Sequence, residues 1–106
     1  MSTVFVTSEQ LGPDRVKTYF RRDAEVDFSV PQLGSYWEIE VDSREPHRVT
    51  YYVRKDGWHV CDVMVREYLD GTEVRMTKPL EPLPDWLASH LPKVGVTNRA
   101  RPSSVY

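Results

Sequence analysis

Apolar and polar residues alternate with a period of two over much of the stretch between residues 24 and 79. Ala24, Val26, Phe28 and Val30 take turns with Glu25, Asp27 and Ser29, and Trp37, Ile39 and Val41 with Glu38, Glu40 and Asp42. That period marks strands with one face buried. Asp56-Gly57 and Asp70-Gly71 each stand between β-rich runs. Asp-Gly suits the positive φ angles of a tight hairpin, so the pattern predicts an antiparallel meander. Strands are expected over 24–30, 35–42 and 48–55, with turns at 31–34 and 43–47. A further long strand follows Asp56-Gly57 and returns after Asp70-Gly71.

Pairing Asp42 with Arg48 sets Val41 against Val49, Ile39 against Tyr51, and Trp37 against Val53. All three pairs are apolar and share one face, the kind of agreement that fixes register. A two-residue Asp56-Gly57 turn then places Val60 opposite Val53 and Trp58 beside Lys55. Carried further, this parity fails. Asp62 and Arg66 fall on the core face, with Val63, Val65 and Leu69 outside. Across the second turn Val65 meets Met76 and Glu67 meets Val74. Either a β-bulge near Asp62 resets the alternation between Cys61 and Arg66, or the strand bends strongly there.

The flanks are less regular. Residues 3–7 alternate as a first strand, and 8–12 read as a loop. Over 13–22 two periods compete. Val16, Tyr19 and Phe20 fit a helical face, while Val16, Thr18 and Phe20 fit a strand. Pro13 and Asp14 suit a helix start and favour a short helix. Pro79, Pro82 and Pro84 predict extended chain, followed by two helical turns over 85–91 with Leu87 and Leu91 on one stripe and Pro92 ending them. Beyond Pro92 the composition predicts disorder. The expected architecture is mainly β, within a β-rich α+β class. It is a single curled antiparallel sheet or small half-barrel of five or six strands, with one or two short helices. One globular domain over 1–92 precedes a disordered basic tail over 93–106.

Composition narrows the function classes. With 106 residues, 40% hydrophobic and 28% charged, the chain can build a core without metal or disulfide staples. The single Cys61 forms no internal disulfide, and no apolar run suffices for a signal peptide or a membrane span. A cytoplasmic protein is expected. The net charge of -2 conceals a +3 tail of Lys93, Arg99 and Arg101, which leaves -5 for residues 1–92. Such a body is ill suited to phosphate backbones. Ten Arg against four Lys, and fifteen Val against one Ile, point to a GC-rich genome such as that of an actinobacterium or its phage.

Catalytic patterns are wanting. There is no Gly-x-Gly run for a pyrophosphate and no nucleophile elbow. The acids alternate along sheet instead of flanking a cleft. His59 and Cys61 are expected on one strand face, but His47 and His90 lie outside ligand spacing, so the pair reads as structural. No enzyme, metal or cofactor is expected. Glu25, Asp27, Glu38, Glu40 and Asp42 instead form an acidic row on two neighbouring strands, partly offset by Arg48 and Arg54. The row is expected to face solvent and to dock a protein with a basic surface. Reversing Glu38 and Glu40 should then change stability by only about 0.5 kcal/mol. A non-catalytic accessory or regulatory role follows. The alternative is a single-stranded nucleic-acid binder using Arg21, Arg22, Arg48, Arg54 and Tyr52.

Overall fold

The computed structural model describes residues 4–22 and 36–97. They form strands β1 (Val4–Gly12), β2 (Arg15–Arg22), β3 (Trp37–Asp42), β4 (Arg48–Lys55), β5 (Trp58–Tyr68) and β6 (Gly71–Met76). A one-turn helix α1 (Asp85–Ala88) and a three-residue strand β7 (Gly95–Thr97) follow. All strands belong to one open antiparallel sheet in which each lies beside its neighbour in sequence. The mainly β meander expected from the alternation is the fold observed.

The N-terminal part departs from expectation. Residues 8–12 continue β1, and Pro13-Asp14 make the turn of a hairpin, not the start of a helix. Proline's fixed φ serves a turn as well as a first helical position. The strand period wins over 13–22 because β2 gains a full ladder on each side, to β1 and to β3. Residues 24–30, expected to pair with β3, lie outside the described residues, and β2 holds that place.

At Asp56-Gly57 the φ angles are +51° and +85°, the paired positive values of a tight hairpin turn. The Asp56 carboxylate also accepts the Tyr36 N–H at 3.0 Å, bracing this turn against the start of β3. Two other registers differ from expectation by two residues. Ile39 faces Val53 and Val41 faces Tyr51, while Tyr68 faces Gly71 and Val65 faces Val74. An even slip leaves every side chain on its face, so the core assignment survives. In the first case the Asp42 carboxylate takes the Arg44 N–H at 3.1 Å and Ser43 N–H donates to Asp14 O at 2.9 Å. The chain therefore leaves the ladder directly after Asp42.

A bulge exists, but outside the Cys61–Arg66 stretch where the break is expected. Val53 pairs with Cys61 but Arg54 pairs with His59, so Val60 is the extra residue, and the ladder from Cys61 to Arg66 is regular. Val60 and Cys61 are both buried, and the reset puts Val63 opposite Tyr51 and Val65 opposite Val49 on the core face, while Asp62, Met64 and Arg66 turn outward. The bulge also separates His59 from Cys61, which were expected on one face. His59 stands half-exposed beside Asp62, its Nδ1 3.5 Å from Oδ1. Cys61 is 0% exposed, and burial pushes its thiol up to about 11, far from a thiolate at neutral pH.

The core is one-sided. Phe20, Trp37, Ile39, Val53, Val60, Cys61 and Leu87 cluster on one face, with Leu83, Trp86 and Leu91 packed against them. After β6 the chain stays on β5 through Thr77 N–H to Asp62 O at 3.0 Å and Leu80 N–H to Val60 O at 3.1 Å. It then crosses beneath the sheet and lays α1 on that face, where the Trp86 and His90 rings meet Phe20 at 6.3 and 4.8 Å. The helix is shorter than the two turns expected. His90 N–H and Leu91 N–H bond the carbonyls of Leu87 and Ala88, closing it with tight i→i+3 turns. Within the segment expected as a disordered tail, Gly95–Thr97 pair with Thr72–Val74 of β6, and residues 98–106 lie outside the described residues.

Candidate functional site on the polar sheet face

The face opposite the core is left to the outward positions of each strand. β2 contributes Arg15, Lys17, Tyr19 and Arg21, and β3 contributes Glu38, Glu40 and Asp42, as the register requires. β4 adds Arg48, Thr50, Tyr52 and Arg54, and β5 adds Asp62, Met64, Arg66 and Tyr68. Glu73 and Arg75 complete it from β6. Stripes of cation, anion and cation thus run across neighbouring strands.

Glu38, Glu40 and Asp42 do share one face, as the alternation predicts. Glu25 and Asp27 lie outside the described residues. The three carboxylates are not a bare, solvent-facing row, however. Glu38 is 5% exposed, with Lys17 Nζ at 3.6 Å and an Arg54 guanidinium nitrogen at 3.9 Å. Glu40 lies 3.2 Å from Arg54 and 3.8 Å from Arg15 Nε. Asp42 meets Arg44 at 2.7 Å. The expectation rested on an acidic neighbour over 24–30, whereas the neighbour is β2, whose outward side chains are cationic. The signal was present in the sequence. Arg15, Lys17 and Arg21 alternate with Val16, Thr18 and Phe20 in the same period of two.

Asp42 is the most strongly perturbed acid of the row. Hydrogen bonds from the Arg44 side chain, then from its backbone N–H, bring the carboxyl from its ordinary 3.8 down to about 2. A folded-state value below the unfolded one gives stability that is present above the unfolded value and lost as pH falls through the folded one. The urea midpoint should therefore decline between about pH 4 and pH 2, and Asp42→Asn should flatten that part of the acid limb. An unchanged limb in the variant would show that the Arg44 pair does not hold the loop.

Three tyrosine rings near this face already carry a cation. Lys17 sits over Tyr19 at 5.7 Å, Arg21 over Tyr36 at 5.4 Å and Arg54 over Tyr52 at 5.7 Å. Their faces are thus occupied from within the chain.

The β5–β6 half is more open. A groove of about 440 Å³ runs between Asp62, Met64, Arg66 and Tyr68 on one side and Glu73, Arg75, Met76 and Thr77 on the other. Glu73 is buried, taking Arg75 Nε at 3.2 Å and the Tyr68 hydroxyl at 3.5 Å. Arg66 Nε donates to the Met64 sulfur at 3.4 Å, and no ion pair joins Arg66 to a carboxylate among the described residues. Beyond Arg66 a second hollow of about 260 Å³ opens toward Arg48 and the 45–47 loop. Arg66 and Arg75 are absent from the residues singled out by sequence. Before the bulge is known, parity assigns Arg66 to the core.

Among the described residues no three His, Cys, Asp or Glu side chains converge as metal ligands, and no helix is long and apolar enough to cross a membrane. What the face offers chemically is charge of both signs, thioether and aromatic surface, and a groove to hold a segment. Compared with protein-family models, curated proteins and solved structures, the chain matches none of them.

Proposed function

We propose that this chain is a small non-catalytic binding module, an accessory protein that docks a protein partner on the polar face of its sheet. The observation that supports this reading is the groove over β5 and β6, where Met64 and Tyr68 supply adaptable apolar surface between charged rims. Charge complementarity across such a face sets register and on-rate. The basic partner suggested by the acidic row is a poor match, because Glu38, Glu40 and Asp42 are already neutralised by Arg15, Lys17, Arg54 and Arg44. A partner surface of mixed charge fits the stripes better. The nucleic-acid alternative is weakened on two counts. Carboxylates alternate with the cations across the whole face, and Tyr19, Tyr36 and Tyr52 already hold cations where bases would stack.

Affinity capture with the full chain separates the two classes. A discrete protein should be retained at low salt, released progressively as salt rises, and unaffected by nuclease. Arg75→Glu, which puts an acid beside Glu73 at the groove rim, should reduce capture about tenfold. Release of the captured material by nuclease would transfer the face to nucleic acid.

A further inference from the structure

We propose that Arg48 and Arg66 form a site for a single carboxylate, presented by an acidic side chain on a segment of the docked protein. This rests on the docking role of the polar face and names the chemistry that the face would recognise. The two arginines are direct partners across β4 and β5, so their side chains leave the same face from opposed positions. Like charges so placed destabilise a sheet. Elsewhere on this face the register sets opposite charges together, as in Glu38 with Arg54, Lys17 with Glu40 and Arg15 with Asp42.

Among the described residues the pair has few protein acceptors, and Arg66 is exposed. Arg48 Nε is buried with no hydrogen-bond partner among the described residues. Its terminal nitrogen lies 3.8 Å from Glu45, beyond hydrogen-bond length, and the Glu45 side chain is 65% exposed. Among the described residues Arg66 Nε has only the weakly accepting Met64 sulfur. Glu73, opposite Arg66 on β6, is turned to Arg75 and Tyr68. Arg48 and Arg66 both line the 260 Å³ hollow, together with His47 and Tyr68. Guanidinium forks bind carboxylates in a planar, two-bond geometry that a point charge cannot supply.

The charge of the hollow selects the ligand. Glu45 lines it beside the two arginines, while the Glu67 side chain, next along β5, leaves the opposite face from Arg66, so the hollow is net positive. One carboxylate balances that excess, while a phosphate dianion exceeds it and meets the Glu45 carboxylate at the rim. From the hollow the 440 Å³ groove continues past Met64, which suits an apolar residue next to the acid.

The test uses the full chain with ¹⁵N-labelled arginines and follows the Nε–H signals of Arg48 and Arg66. The probes are a blocked Leu-Glu-Leu tripeptide, its Leu-Gln-Leu counterpart, inorganic phosphate and oligothymidylate. The glutamate peptide should shift both signals saturably, and the glutamine peptide should bind about tenfold more weakly. Arg48→Gln and Arg66→Gln should each weaken the glutamate peptide about tenfold, Arg66→Lys should recover only part, and Lys78→Gln should change nothing. Because each Gln variant removes one of two opposed like charges, neither should lower the thermal midpoint. Equal binding of the two peptides, unaffected affinity in the Gln variants, or tighter saturation by phosphate or oligothymidylate would each overturn the proposal. Absence of glutamate-peptide binding by the unaltered chain, with intact, nuclease-resistant protein capture, removes this carboxylate site and leaves the docking face standing.

Discussion

Replacing Leu87 by alanine is expected to lower the unfolding free energy by about 3 kcal/mol, which for a domain of this size moves the thermal midpoint down by about 15 °C. Leu87 is 0% exposed, the only fully buried side chain of α1, and sits in the cluster with Phe20, Trp37 and Val53. A four-residue helix has no stability of its own, so its place depends on that side chain. The alanine leaves a cavity beneath the sheet and loosens the 79–92 segment over Trp37, which should also red-shift tryptophan emission. Leu80→Ala, at a side chain 77% exposed, should stay within about 0.5 kcal/mol. Equal effects at the two positions would show that the segment does not close the core.

Glu38→Lys is expected to cost about 2 kcal/mol, against about 0.5 kcal/mol or less for Glu81→Lys. Glu38 lies between Lys17 and Arg54, and a lysine there gathers three cations at one point of the sheet. The figure lies below that for a fully buried pair because the Lys17 and Arg54 side chains keep 22% and 27% exposure. Glu81 pairs with Lys55 at 3.4 Å in the open, where ion pairs contribute little. Urea unfolding at low and high salt separates the cases. The Glu38→Lys deficit should shrink with salt, whereas equal small effects would restore the solvated acidic row expected from alternation alone.

The meander was legible because every strand from Trp37 onward carries its own period of two and the Asp56-Gly57 turn carries its own chemistry. Local signals of that kind need no partner. What stayed hidden depended on partners. Residues 13–22 satisfy two periods at once, and only the ladders to β1 and β3 decide between them. The extra residue at Val60 leaves no mark of its own. It is detectable as a clash of parities downstream, which gives its existence but blurs its place. For the candidate site, Glu38, Glu40 and Asp42 were correctly given one face, since parity within a strand is local. Their ion pairing was missed because it depends on which strand lies alongside. Arg66 was missed for the same reason, through the bulge.

The most direct test of docking on the polar face is site-specific photo-crosslinking. A photoreactive residue at position 64, in the floor of the groove, should yield a discrete protein adduct that resists nuclease and fades with salt, while the same residue at position 80 should yield none. An adduct from position 80 alone, or a nuclease-sensitive adduct from position 64, would contradict the account.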